Sequence, residues 1–213
     1  MSDTFTTATS EIQPNFASNR VQQLLLAAYV AVWTWAAINP LNPFDWFLEN
    51  LLTIVTVVTL LITIRRFPLS DLSYVCIFTF LCLHAIGGHY TYSEVPIGFW
   101  LKQTFELSRN HYDRIVHFCF GLLLVYALRE VGLRFGGANP AFASLAGFGL
   151  ILAGSASFEI IEMIVAMLVN PKAGQAYLGT QGDEWDCQKD MAAAAIGSIC
   201  TLMAIQGART WRP

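Results

Sequence analysis

Apolar residues in this chain come in long unbroken runs, without the alternation of a half-buried strand or the one-sided stripe of a water-facing helix. Five runs read as single membrane spans: Val21–Ile38, Phe47–Ile64, Leu72–Gly87, Ile115–Leu128 with its flanks, and Met191–Gln206. A bilayer crossing needs roughly 17–25 mostly apolar residues. A sixth run, Ala141–Val169, is longer. At 1.5 Å per residue it reaches roughly 40 Å, which suits one tilted helix. Two shorter spans there would have no turn between them, and Gly147, Gly149 and Gly154 are tolerated inside membrane helices. The absence of period-two alternation excludes a membrane β-barrel. The pattern predicts an all-α polytopic bundle of six transmembrane helices.

Composition sharpens this reading. Hydrophobic residues make up 55% of the 213 and charged residues only 13%, against about 25% charged in soluble domains. Mean hydropathy is +0.50. Too few charges remain to cover a water-facing surface. The net charge of −3, with no basic run, gives a nucleic-acid backbone nothing to bind. Residues 1–18 are polar and carry no positive segment ahead of an apolar core, so the first span is expected to be a retained anchor and not a cleaved signal peptide. Lys and Arg in short loops set orientation. With the N-terminus inside, Arg20, Arg65, Arg66, Arg129, Arg134, Arg209 and Arg212 lie inside, and Lys102, Arg109, Arg114, Lys172 and Lys189 outside. Both termini are therefore expected to be cytoplasmic, with the loops at about 88–112 and 170–189 facing outward. The domain reading is a tail over 1–20, one transmembrane domain over 21–206 and a tail over 207–213. Cys76, Cys82, Cys119 and Cys200 fall in apolar runs and read as small core residues.

On that topology the charge is uneven. Eleven of fifteen acids lie outside or in the outer half, so the outer side sums to −6 and the inner side to +3. Ionisable residues inside spans are costly and mark functional candidates. Asp113 and His117 are four apart and share a helical face, a spacing for two ligands of one metal or for a carboxylate that orients an imidazole. A plain helix start, with Arg114 reaching head groups, is the bland alternative. Glu159 and Glu162 put two carboxylates on one face of a hydrophobic helix; with matched depths, Glu162 is expected to meet His117. Asp183, Asp186 and Asp190 form an acidic stripe if helical from about Asp183, and Asp186 and Asp190 have the spacing for a hard cation. His84 lies within a span, and His89 just past a Gly87–Gly88 break, followed by Tyr90, Tyr92, Phe99 and Trp100 as an aromatic belt. His84 reads equally as a core histidine.

No H-E-x-x-H, G-x-S-x-G, P-loop or dinucleotide fingerprint is present. The segments Gly-Gly-His-Tyr-Thr-Tyr (87–92), Tyr-Asp-Arg-Ile-Val-His (112–117), Glu-Ile-Ile-Glu (159–162) and Gly-Thr-Gln-Gly-Asp-Glu-Trp-Asp-Cys-Gln-Lys-Asp (179–190) resemble the YjdF-type family of bacterial inner-membrane proteins. The chain is also distantly similar to VanZ-like membrane proteins, which share a helix start with an acid shortly before a His, and a late Asp before a small-residue helix. The resemblance implies a polytopic inner-membrane protein and names no reaction. The leading expectation from the residues is a divalent metal cation of unknown identity near the outer face. His117, Asp113, Glu162 and Asp190 would be ligands, and Glu159 and Asp186 would either support the ligands from behind or act as the general base. The substrate would be a lipid or lipid-linked envelope molecule, with Arg114, His84 and His89 as contacts. A small proton-coupled carrier using the same groups is the alternative, and a structural scaffold the third reading.

Overall fold

The computed structural model describes residues 19–210. Most of the expected tail over 1–20, residues 211–213 with Arg212, and the side chain of Arg209 lie outside the described residues. Eight helices and no strand are found among the described residues: α1 Arg20–Ala37, α2 Pro43–Thr63, α3 Asp71–His89, α4 Pro96–Thr104, α5 Tyr112–Arg134, α6 Pro140–Leu168, α7 Pro171–Leu178 and α8 Asp186–Thr210. The all-α expectation holds.

Local chemistry sets the helix starts. Asn-Pro pairs at 42–43, 139–140 and 170–171 each place a side-chain cap ahead of a proline in the first turn. The asparagine oxygen satisfies free backbone N–H groups, and proline has none to leave unsatisfied. Asn19 and Ser70 cap α1 and α3 in the same way. The run at 141–169 forms the single long helix α6, 29 residues without interruption.

Five helices, α2, α3, α5, α6 and α8, are long and apolar enough to cross a membrane. The first expected span is also a helix, 18 residues long, but Arg20, Gln22 and Gln23 at its start make it less apolar than the other five. The two longer loops contain the short helices α4 and α7. The surface is apolar in the manner lipid requires: Leu24, Ile62, Met167 and Leu168 are 70–81% exposed. Ser73, Asn110, Ser155, Asp190 and Ser198 are fully buried. This inversion of the water-soluble pattern identifies hydrocarbon as the surrounding solvent.

The centre of the bundle is the α5–α8 pair. A Cβ on Gly121 would stand 1.8 Å from the Ala194 carbonyl oxygen, and one on Gly197 would stand 2.1 Å from that of Phe118. Only glycine permits this approach, and the two backbones touch along a seam. The α3 helix packs against α5 and α1, α6 against α5 and α8, and α2 leans on α3. At the C-terminal end of α5, Glu130 ties down the start of α3. Its carboxylate accepts hydrogen bonds from Ser70 N and Oγ, both at 2.8 Å, and from Ser73 Oγ and Arg134.

Candidate functional site

The seam aligns the first turns of α5 and α8. Asp113 stands in the first turn of α5 with His117 one turn on, and Asp190 lies one turn into α8. One donor atom from each lies within 4.8 Å of the other two. Ligands 2.0–2.6 Å from a common cation are separated by no more than about 4–5 Å, so the three can share one ion. His117 Nε2 is 3.7 Å from Asp113 Oδ1 and 3.4 Å from Glu159 Oε1, and its Nδ1 is 3.4 Å from Ser155 Oγ. Glu159, and not Glu162, thus meets the imidazole. The buried Glu159 Oε1 has no hydrogen-bond partner among the described residues. Glu162 is half-buried and within electrostatic reach of Asp113, Glu159 and Asp190, but it stands outside the converging three.

Two arginines hold the acids from the α8 side. Arg114 donates from Nε to Asp190 Oδ1 at 2.7 Å and from Nη2 to Asp186 Oδ1 at 2.5 Å. Arg109, from the loop after α4, is only 5% exposed. It hydrogen-bonds both oxygens of Asp186 and the carbonyls of Thr180 and Gly179. Sequence reasoning counted Arg109 as one of five outer charges and missed this role. The α8 helix begins at Asp186, three residues later than the stripe assumed, so Asp183 lies in the preceding turn. There it accepts from Lys189 Nζ at 2.7 and 2.8 Å, which holds its carboxyl below the ordinary carboxylate range. Partial burial, with Arg109 and Arg114 nearby, lowers the His111 imidazole and favours its neutral form at the mouth.

His84 is fully engaged. Tyr92 Oη lies 2.5 Å from its Nδ1, and Nε2 is 3.1 Å from the Glu49 carbonyl oxygen. Enclosure pushes the Tyr92 phenol well above its ordinary value, so it donates to Nδ1 and leaves the proton on Nε2 to donate to the carbonyl. Neither nitrogen is then available to a ligand. Glu49 itself is 4% exposed, with Oε2 3.8 Å from His84 Nε2. The rule that flags Glu159 and Glu162 applies equally to Glu49, inside Phe47–Ile64, so this acid was within reach of the sequence. His89 is not brought to the cluster. The α3 helix runs through Gly87 and Gly88 without a break, and His89 Nδ1 sits 3.0 Å from the Ala36 carbonyl oxygen, its ring 4.7 Å from that of Trp35. Gly87 serves Tyr92, whose ring lies 2.5 Å from where a Cβ would be.

Beneath the cluster is a cavity of about 1010 Å³, walled by α2, α3, α5 and α6. Asp113, His117, His84 and Tyr92 line the end nearest the cluster. Leu, Phe and Thr side chains line most of the remainder, down to Phe67 and Phe135, whose rings meet edge-on with centroids 5.0 Å apart.

The family model described as "Predicted membrane protein (DUF2238)" matches residues 21–210. The Inner membrane protein YjdF of Escherichia coli (strain K12) is 37% identical over 172 residues, which cover 79% of this chain and 81% of that protein. No solved structure matches. With the apolar surface and the five long helices, these likenesses identify a multi-pass protein of the inner membrane. The chain belongs to the DUF2238 family of predicted membrane proteins.

Proposed function

We propose that this protein holds a divalent cation at the outer mouth of its bundle and acts there on a lipid or lipid-linked envelope molecule. One observation carries the reading: the donor atoms of Asp113, His117 and Asp190 converge within 4.8 Å. They do so in a region where the carboxylates of Glu49, Asp113, Glu159, Glu162, Asp186 and Asp190 lie within electrostatic reach of one another, and the guanidiniums of Arg109 and Arg114 reach only Asp113, Asp186 and Asp190 among these six. So many acids in a poorly solvated site need a cation or bound protons. Asp113, His117 and Asp190 would be the protein ligands, with Glu162 within electrostatic reach of the two acids. Glu159, whose Oε1 faces the imidazole, suits the general base that activates a metal-bound water. Asp186, gripped by both arginines, suits a positioning role better than that of a base. Arg114, with its side chain 21% exposed, stands where a phosphate would arrive. His84 and His89, engaged elsewhere, drop out as substrate contacts. The cavity below continues in apolar side chains, which favours a lipid tail over a solute path and so this reading over the carrier.

Protein purified without chelator is expected to carry about one divalent ion per chain by elemental analysis. Undetectable stoichiometric metal would sink the reading. The proposal includes six spans, with α1 as the first and both termini cytoplasmic, which puts Glu184 outside. A Glu184→Cys chain whose five native cysteines are replaced should react with an impermeant maleimide in intact cells. Labelling only after lysis reverses the orientation.

A further inference from the structure

We propose that the cavity between α2, α3, α5 and α6 seats the hydrocarbon chain of a polyprenyl phosphate, a single chain longer than one leaflet. The inference rests on the lipid reading above and names its substrate class. The first argument is shape. About 1010 Å³ lies at the top of the roughly 300–1,000 Å³ range of small-molecule sites, yet the space is drawn out along the bundle. Its wall follows α5 from Asp113 to Gly132, roughly 28 Å at 1.5 Å per residue. The hydrocarbon core of a bilayer is about 30 Å thick, so an acyl chain rooted in one leaflet fills about half of that. A phospholipid tail entering at the outer mouth would leave the inner half of the cavity unfilled.

The second argument is access. The α2 helix leans on α3, and its face toward α6 borders the cavity. Thr56 and Thr59 on the α2 rim and Leu150 and Ile161 on the α6 rim line the cavity and are also exposed at the bundle surface. A chain already dissolved in the bilayer can slide in sideways between these rims. Burial of hydrocarbon from lipid brings no hydrophobic gain, so selection falls to length and fit. The third argument is polarity. The ionisable groups of the cavity, Asp113 and His117 with His84 beside them, stand at the outer end, where the headgroup of a seated chain would lie. Carboxylates repel a phosphate, so the headgroup would be held through the cation and Arg114.

The test uses the full chain in lipid nanodiscs with two photoactivatable probes, each labelled at the chain end. One is a polyprenyl phosphate and the other a phosphatidylglycerol of ordinary acyl length. The polyprenyl probe is expected to label saturably at about one per chain and to mark Leu128 or Val131 in the inner half. Thr56→Trp and Leu150→Trp, which obstruct the cavity from opposite rims at exposed positions, should each reduce that labelling about tenfold. Equal inner-half labelling by the phosphatidylglycerol probe, or labelling unaltered in both variants, overturns the proposal. Metal content measured on the same samples keeps the readings apart: both variants should retain their ion, and absence of the ion with labelling intact would refute the cation site alone.

Discussion

His117→Ala is expected to abolish stoichiometric cation binding, with affinity falling on the order of 100-fold or more. Loss of an outer partner alone typically costs 10–100-fold, and His117 supplies one of three converging donors. Glu162→Gln should retain the ion within a few-fold, because Glu162 stands outside the three. The contrast between the two variants, read by elemental analysis and by titration with Mn²⁺ or Zn²⁺, separates the triad from a diffuse acidic patch. A patch would lose affinity by similar amounts in both. Acid should weaken binding as well. Carboxylate and imidazole must be deprotonated to ligate, so affinity falls as the pH drops and protons compete for the same lone pairs. Retention of the ion by His117→Ala would falsify the assignment.

Arg109→Ala should be the most destabilising single substitution at the mouth, by about 3–5 kcal/mol, the usual cost of removing one partner of a buried pair. Its side chain is 5% exposed and joins both Asp186 oxygens to two carbonyls of the segment before α8. Truncation leaves a buried carboxylate short of one of its two cations and takes a donor from the Gly179 and Thr180 carbonyls, of which Thr180 keeps the Asp183 N–H. The readout is the thermal midpoint in detergent. Arg109→Lys should recover only part of the loss, since an ammonium cannot reproduce the planar fork. Combining Arg109→Ala with Asp186→Ala should cost less than the sum of the single changes. Strict additivity would mean that the pair is not coupled.

The contrast between these two residues explains what the sequence made legible. Asp113 and His117 could be paired because both ride one helix, where an offset of four always shares a face. Asp190 was recognisable as the acid that abuts an apolar span. Arg109 was not, because its approach to Asp186 depends on the loop between α4 and α5, where Glu106 takes a left-handed conformation at φ 51° and no periodicity applies. Glu159 and Glu162 mark the boundary of the method. Depth along a helix follows from counting residues, but residues three apart point about 60° away from each other. Rotation of α6 about its axis, set by packing against α5 and α8, decided which acid met His117. The count of spans was legible for the five most apolar helices and least so for α1, where polar residues dilute the signal. The likeness to the YjdF-type family held over the matched length without adding a reaction.

The glycine seam between α5 and α8 bears on which ion the proposed site would accept. Gly121 lies one turn below His117, and Gly197 two turns below Asp190, so backbone contact locks the two helices that carry all three converging donors. Glu159 is carried by α6, a separate piece of the machine. In the proposed cation site, jaws welded together would not swell to suit a larger ion; such a site would discriminate by radius, and any adaptation would have to come from α6.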